Sequence, residues 1–523
     1  MALTKAHNRM INGASASVKD FGAVGDGVAD DSAAIQAAND SSAGSVVFPA
    51  GTYRIASPIS ATKNWSSDGG AQIALAASTA FGQYAILISG AGAVISGLAI
   101  DGNADGSATA ERLVSITGDD VVFRGNTITD VYQDGVWFSG DGCIIDGNHV
   151  SYTADNGAAG SEGIAGVNSN NATIINNVVT DCIDDGISLH VCNDGLIANN
   201  NITNKFAKGA CINLVGKCFN VTADGNVCRA IGAGTAGAAV IRANIEESAL
   251  LANRGNGNSM NVINNTIYVD AADARDYGIR VLGNGSNSRI SGNNIYGNGI
   301  EITGIEVAEY TFDGVTYTPE NITISENSFY GDKATYTVTG VKAVSGVTGL
   351  SVANNLLANL DVALWVGENN SVFTNKFVGN NSIVKVGQMS GTVFANRSFA
   401  EFQKSAIGAG TINLPVNGLA SLVDLVFDED VYIAGISCQV NTLPATNNLN
   451  ILAQHDSGGG YASITGLSLQ FNSGTATYLE DFIFASQPLK VAAGEKVRIQ
   501  TTQSGALGAT PDVYCKLFFV RLT

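Results

Sequence analysis

The sequence predicts an all-β chain wound as a parallel β-helix, on three observations. A corner motif, Asn followed by any residue and then an apolar one, recurs at Asn126, Asn148, Asn177, Asn200, Asn226, Asn265, Asn293, Asn327, Asn355 and Asn375. Short alternating strands such as VVFRGN, CIIDGN, ATIINN and RISGNN lead into it. The composition, 62 Gly against 7 Pro with 45% hydrophobic residues, supplies many tight turns and a packed interior. No long amphipathic helical pattern follows residue 42.

The gaps between corners are 22, 29, 23, 26, 39, 28, 34, 28 and 20 residues. About 22 residues make one coil of three short strands and their turns, and the longer gaps are loops inserted at the turns. A propeller blade needs roughly 40 residues, and a sandwich keeps no such period. Asn suits the corner because its short amide tolerates left-handed backbone and hydrogen-bonds along a stack. Alternation sends every second side chain inward, so like residues of successive coils pile up.

The ends break the rhythm. SAAIQAAND, with Asp30 or Asp31 as its cap and Gly44 beyond it, predicts a short helix that plugs the open end of the β-helix. SVVFPAGTYRI reads as a strand, a turn and a returning strand. After about residue 400, runs such as VYIAGISCQV, NLNILAQ, ITGLSLQF, KVRIQTT and YCKLFFVRL predict an antiparallel β-sandwich of about eight strands, for trimerisation or glycan binding. The expected divisions are therefore a neck or attachment segment at 1–17, a cap at 18–60, the β-helix with its glycan-binding face at 61–400, and the sandwich at 401–523.

Charge and cysteine usage exclude several functions. With 46 acidic against 27 basic residues the net charge is −19, which disfavours nucleic acid and anionic lipid as partners. It tilts the expected glycan towards a neutral or weakly charged one rather than a dense polyanion. No apolar stretch reaches the length of a membrane span, so no membrane insertion is expected. The eight cysteines lack any zinc spacing and read as reduced, small core residues of a chain made in a reducing cytoplasm.

A second strand motif places the chemistry. DGVWF (134–138), EGIAG (162–166), DGISL (185–189), KGACI (208–212) and YGIRV (277–281) each carry an early Gly. Gly135, Gly163, Gly186 and Gly209 are spaced so that Asp134, Glu162, Asp185 and Lys208 form one column on adjacent coils, about 5 Å apart. Asp184 lies beside the column. Glycoside hydrolysis needs two carboxyl groups astride the scissile bond, and crowded carboxylates raise one another's pKa. Asp134, Glu162, Asp184 and Asp185 are thus the candidate catalytic residues. The bland alternative is a turn ladder, since Asp before Gly is common for local reasons. With Val136 and Phe138 inward, Trp137 faces out and suits sugar stacking. His190, Lys208, Asn213 and Arg280 face out by the same register, and Arg242, with Glu246 and Glu247, falls in the longest insertion, 227–260. These are the candidate substrate-binding residues. No cofactor or metal is expected, although stacked carboxylates would also suit Ca2+.

VKDFGAVGDG, with the DD, AIQAA and FPAGTY that follow, resembles the opening segment of the pectate-lyase-like superfamily, in particular phage tailspike and depolymerase domains. KAHNRMINGA resembles the neck before such domains. The resemblance implies a right-handed parallel β-helix, homotrimeric, on a virion tail made in the host cytoplasm. Its implied partners are a bacterial surface polysaccharide (O-antigen, capsule or exopolysaccharide), its own copies and phage tail or baseplate proteins. IDDGIS resembles the paired-Asp step of polygalacturonase-type hydrolases. Glu162 stands where that family has Asp, and Lys208 where it has His. Endo-glycoside hydrolysis is the expected activity; a lyase using Lys208, Arg280 or His190, and a non-catalytic adhesin, are the alternatives.

Overall fold

A computed structural model describes residues 14–521 apart from 107, 153–160, 183, 205–208, 217, 232–238, 245–258, 271–276, 284, 298–300, 313–314, 333–336, 344–345, 366–370, 374, 379–381, 385–392, 395–397, 405–410, 417–423, 428–430, 473–477, 483–488 and 504–510. The neck expected at 1–17 falls almost wholly outside the described residues. The contacts divide the chain into two compact units, Met1–Ser351 and Val352–Thr523.

The first unit is a right-handed parallel β-helix. Each coil gives one short strand to each of three parallel sheets. Val122–Arg124, Thr127–Thr129 and Asp134–Phe138 form one coil, and they pair in register with Ile144–Asp146, His149–Ser151 and Ile164–Val167 of the next. The inward positions are the apolar ones of the alternating pattern. Phe123, Ile145 and Ile174 stack in one sheet, Ile128, Val150 and Val179 in the second, and Val136, Ile164 and Ile187 in the third, all fully buried.

The corner asparagines form the ladder that the period implies. The Oδ1 of Asn148 accepts from both the backbone N–H and the Nδ2 of Asn126, at 3.0 and 3.1 Å, and the pattern repeats through Asn177, Asn200, Asn226, Asn265, Asn293 and Asn327. One expectation is corrected. The left-handed residue is the one before each ladder Asn, such as Gly125, Gly147, Asn176, Asn199, Gly225 and Asn264. The ladder Asn must turn its amide into the stack, so its predecessor makes the corner.

Helix α1 (Ser32–Asp40) forms as expected and buries Ile35 and Ala38 against the first coil, where Trp65 Nε1 donates to Asn39 Oδ1 at 3.2 Å. Asp30 accepts from the Ser32 backbone N–H, while Asp31 binds the backbone N–H groups of Val24 and Gly25. Ser45–Phe48 and Gly51–Ile55 do not return on each other. They enter different sheets, each pairing in parallel with the next coil, so the Pro-Ala-Gly turn is the first corner of the winding.

The second unit opens with parallel pairs such as Leu356–Ala358 with Lys376–Val378 and Val362–Trp365 with Ser382–Val384. From Ser398 the strands become antiparallel and form two five-stranded sheets sharing one core, which includes Phe402, Ile433, Ile451, Phe471 and Leu517. This is the expected sandwich, with ten described strands where about eight were expected. The reading of all eight cysteines as reduced is corrected here. Cys438 and Cys515 face each other on adjacent strands, with Cα atoms 4.1 Å apart, and form a disulfide. Cys143, Cys182, Cys192, Cys211, Cys218 and Cys228 are free and buried in the β-helix. Among the described residues no helix is long and apolar enough to cross a membrane.

Candidate functional site

The third sheet of the β-helix carries the candidate residues on strands β1 (Asp134–Phe138), β2 (Ile164–Val167), β3 (Ile187–His190), β4 (Ile212–Val215), β5 (Ala239–Asn244), β6 (Tyr277–Leu282), β7 (Glu301–Ala308) and β8 (Thr337–Ala343), side by side in that order. Val136, Ile164, Ile187 and Ile212 pair in register. Two residues earlier on each strand, Asp134, Glu162, Asp185 and Ala210 therefore stand in one column. Backbone bonds agree: Gly135 N–H donates to Glu162 O, Gly163 to Asp185 O and Gly186 to Ala210 O.

Three of the four expected column members, Asp134, Glu162 and Asp185, are thus neighbours. The position after Asp185 belongs to Ala210, so Gly209 falls outside the column of glycines. Gly209 instead packs against the carboxyl groups of Asp184 and Asp185, where a β-carbon would collide with an oxygen of each. The spacing argument took a 23-residue step, but the chain uses 25 here. Lys208 lies outside the described residues, as do Glu246 and Glu247.

Burial and charge set the chemistry of the column. Burial, and then the charge of Glu162, push the Asp134 carboxyl up to about 8, against the opposing pull of the Glu162 backbone N–H, Arg112 and His190. That N–H donates to Asp134 Oδ1 at 3.3 Å. Glu162 Oε1 is 3.0 Å from His190 Nε2, which also lies 3.2 Å from Ser188 Oγ. Asp185 is 3% exposed, and its carboxyl is raised by burial and by Asp184. It accepts from the Ala210 N–H and from Asn213 Nδ2, both at 2.6 Å, and lies 3.9 Å from the Arg242 guanidinium, whose Nε donates to Asn213 Oδ1 at 3.2 Å. Both oxygens of Asp185 are therefore engaged.

A second column runs beside the acids: Trp137, Ala165, Ser188, Asn213, Arg242 and Arg280. Trp137 faces out as alternation predicts, with the Arg112 guanidinium 3.6 Å from its ring centroid. Arg242 was expected in a loop and stands on β5, in register with Asn213. Arg280 joins the same column two coils beyond Asn213. Sequence reasoning missed Tyr152, whose buried hydroxyl lies 2.6 Å from the carbonyl oxygens of both Gln133 and Glu162 and braces the backbone under the acids. Nothing in the corner rhythm marked it. It also missed Ser188 and Arg112, although register could have found both. Among the described residues no group of three or more His, Cys, Asp or Glu is arranged to hold a metal ion.

Residues 84–245 match the family model described as right handed beta helix region. A stretch of 42 residues is 62% identical to mannuronan C5-epimerase AlgE5 of Azotobacter vinelandii. It makes up 7% of this chain and 4% of that protein, so the chain spans a small fraction of the curated relatives it matches. Among solved structures, the Dettilon tailspike protein gp208 aligns with 95% of this chain and 99% of its own, with a TM-score of 0.51 and 13% identity. The tailspike gp61 of Pseudomonas phage phi297 aligns over 97% and 99%, with a TM-score of 0.48 and 12% identity. At 13% identity, what the chain shares with the Dettilon protein is the fold.

Proposed function

We propose that the chain is a phage tailspike that binds a bacterial surface polysaccharide on the third sheet of its β-helix and cuts it as an endo-glycoside hydrolase. The observation that carries this reading is the placement of Asp134 one coil from Glu162, bonded to its backbone N–H at 3.3 Å. A carboxyl held up to about 8 keeps its proton at neutral pH, as a general acid for the leaving oxygen must. Glu162, hydrogen-bonded to His190, is the partner that activates water or attacks the sugar. Asp185, with both oxygens engaged, holds Asn213 and Arg242 in place and is not the reactant. Asp184, next to Asp185 in the chain, supplies negative charge that favours a developing oxocarbenium ion. Trp137 offers its ring edge, and the Arg112 above it a cation, to a bound sugar. The reading needs no metal.

The opening segment's resemblance to tailspike domains supports a trimer mounted on a phage tail, with the C-terminal sandwich clamping the three chains. β-Elimination is the second reading, favoured by the proximity of Arg242 to the acids. The products separate the two, because elimination leaves a conjugated double bond that absorbs ultraviolet light and hydrolysis does not. The deciding experiment exchanges Asp134, Glu162, Asp184 and Asp185 singly for their amides. Reducing ends released from purified capsular and O-antigen polysaccharides are then measured beside glycan binding and oligomeric state. Loss of cleavage in D134N and E162Q with retained binding is the expected result. Full cleavage by E162Q ends the hydrolase assignment.

A further inference from the structure

We propose that the sheet continues past the acids into a subsite for the carboxylate of an acidic sugar, so that the substrate is a heteropolysaccharide carrying spaced acidic residues. This deepens the functional reading above and rests on it for the place where the glycan lies. The outward column does not stop at Arg280: it runs on through Glu306 on β7 and Lys342 on β8. From Asn213 onwards it therefore reads Asn213, Arg242, Arg280, Glu306, Lys342. Three of five positions are cationic, in a chain with only 27 Lys and Arg among 523 residues.

The lone acid of that stretch organises the cations. Glu306 is 2% exposed, and its Oε2 accepts from Arg280 Nε at 2.7 Å while its Oε1 meets Lys342 Nζ at 3.0 Å. The Arg280 guanidinium lies over the Tyr277 ring, 4.3 Å from its centroid, which limits its movement further. The side chains of Arg242, Arg280 and Lys342 nevertheless remain 21%, 22% and 25% exposed. A buried carboxylate that fixes two partly exposed cations lowers the entropy lost when they bind an anion. It cancels one charge of three, so the stretch keeps a net positive charge on a protein whose overall charge is −19.

Spacing then narrows the substrate class. With strands about 4.8 Å apart, Arg280 stands roughly 14 Å and Lys342 roughly 24 Å along the sheet from the coil of Asp185. A glycan laid along the sheet would bring one stretch past the acid column, where the Glu162 carboxylate repels anions, and another past Arg242, Arg280 and Lys342, which attract them. A uniformly anionic polymer fits the first stretch badly, and a neutral one leaves the second unused. A repeat with one carboxylated sugar among neutral ones fits both.

The test uses the full-length protein on an array of purified bacterial capsular and O-antigen polysaccharides, half with carboxylated sugars and half neutral. Retention of carboxylated members, lost when those same polymers are carboxyl-reduced, is expected. R280Q and K342M should each weaken retention roughly five- to tenfold. E306Q should weaken it too, because an amide has a single accepting oxygen and turns its NH2 towards the other cation, so Arg280 and Lys342 are no longer both held in place. A ladder that only holds coils together would instead lower the unfolding temperature in all three variants and leave retention unchanged. That result overturns the proposal, as does retention of neutral members alone or of none. Cleavage is scored separately. A carboxylated glycan bound but uncut sinks the hydrolase reading and leaves this subsite standing, and a neutral glycan cut does the reverse.

Discussion

Exchange of Asp134 for Asn tests the electrostatics of the site without reference to any substrate. The carboxyl rises from 3.8 to about 8 in the folded chain, chiefly because it is buried and secondarily because Glu162 is one coil away. Between those two values the native state holds a proton that the unfolded state has released. Stability is therefore complete below pH 3.8, declines as pH rises through the window, and reaches its floor above 8. At 1.36 kcal/mol per unit the whole shift corresponds to at most about 6 kcal/mol, an upper limit because the side chain keeps some contact with water. Asn carries no such penalty and can still accept the Glu162 N–H. Guanidinium unfolding of both proteins, followed by tryptophan fluorescence from pH 5 to 9, should give a difference in favour of D134N that grows up to about pH 8 and then levels off. The wild-type cleavage rate should fall over the same range as Asp134 loses its proton. A stability difference that stays constant from pH 5 to 9 would refute the raised carboxyl and, with it, Asp134 as the acid.

Removing the imidazole in His190→Ala leaves Glu162 without its 3.0 Å partner, so kcat should fall roughly ten- to a hundredfold with glycan binding little changed, read from reducing-end release and affinity electrophoresis. Trp137→Ala takes away the surface under Arg112 and should weaken glycan binding by about 1 kcal/mol, measured by titration calorimetry with a cleavage-dead E162Q background. Asn200→Ala breaks a buried ladder position whose amide bonds Asn177, Ile174 and Asn226, and should destabilise the β-helix by about 2–5 kcal/mol in guanidinium unfolding. Chelation with EDTA should leave cleavage unchanged, and loss of activity restored by Ca2+ would show that the acids hold a metal.

The sequence by itself determined the winding, because a parallel β-helix stacks like on like. A polar residue at Asn126, Asn148 and Asn177 or an apolar one at Phe123, Ile145 and Ile174 must recur on every coil, and recurrence is legible as a period. The outward direction of Trp137 followed from alternation alone, and the neighbourhood of Asp134, Glu162 and Asp185 followed from coil spacing. Tertiary structure decided whatever depends on insertions, where the period says nothing about register. It put Ala210 after Asp185 in place of the residue preceding Gly209, and it moved Arg242 from an expected loop onto β5. The Cys438–Cys515 disulfide likewise belongs to an aperiodic sandwich, where only the strand pairing brings the two residues together. Asp134 and Asp185 are the same residue type, each before a Gly, each one coil from Glu162 and each raised by burial; only their partners tell them apart, since Asp185 is bound at both oxygens by Ala210 and Asn213.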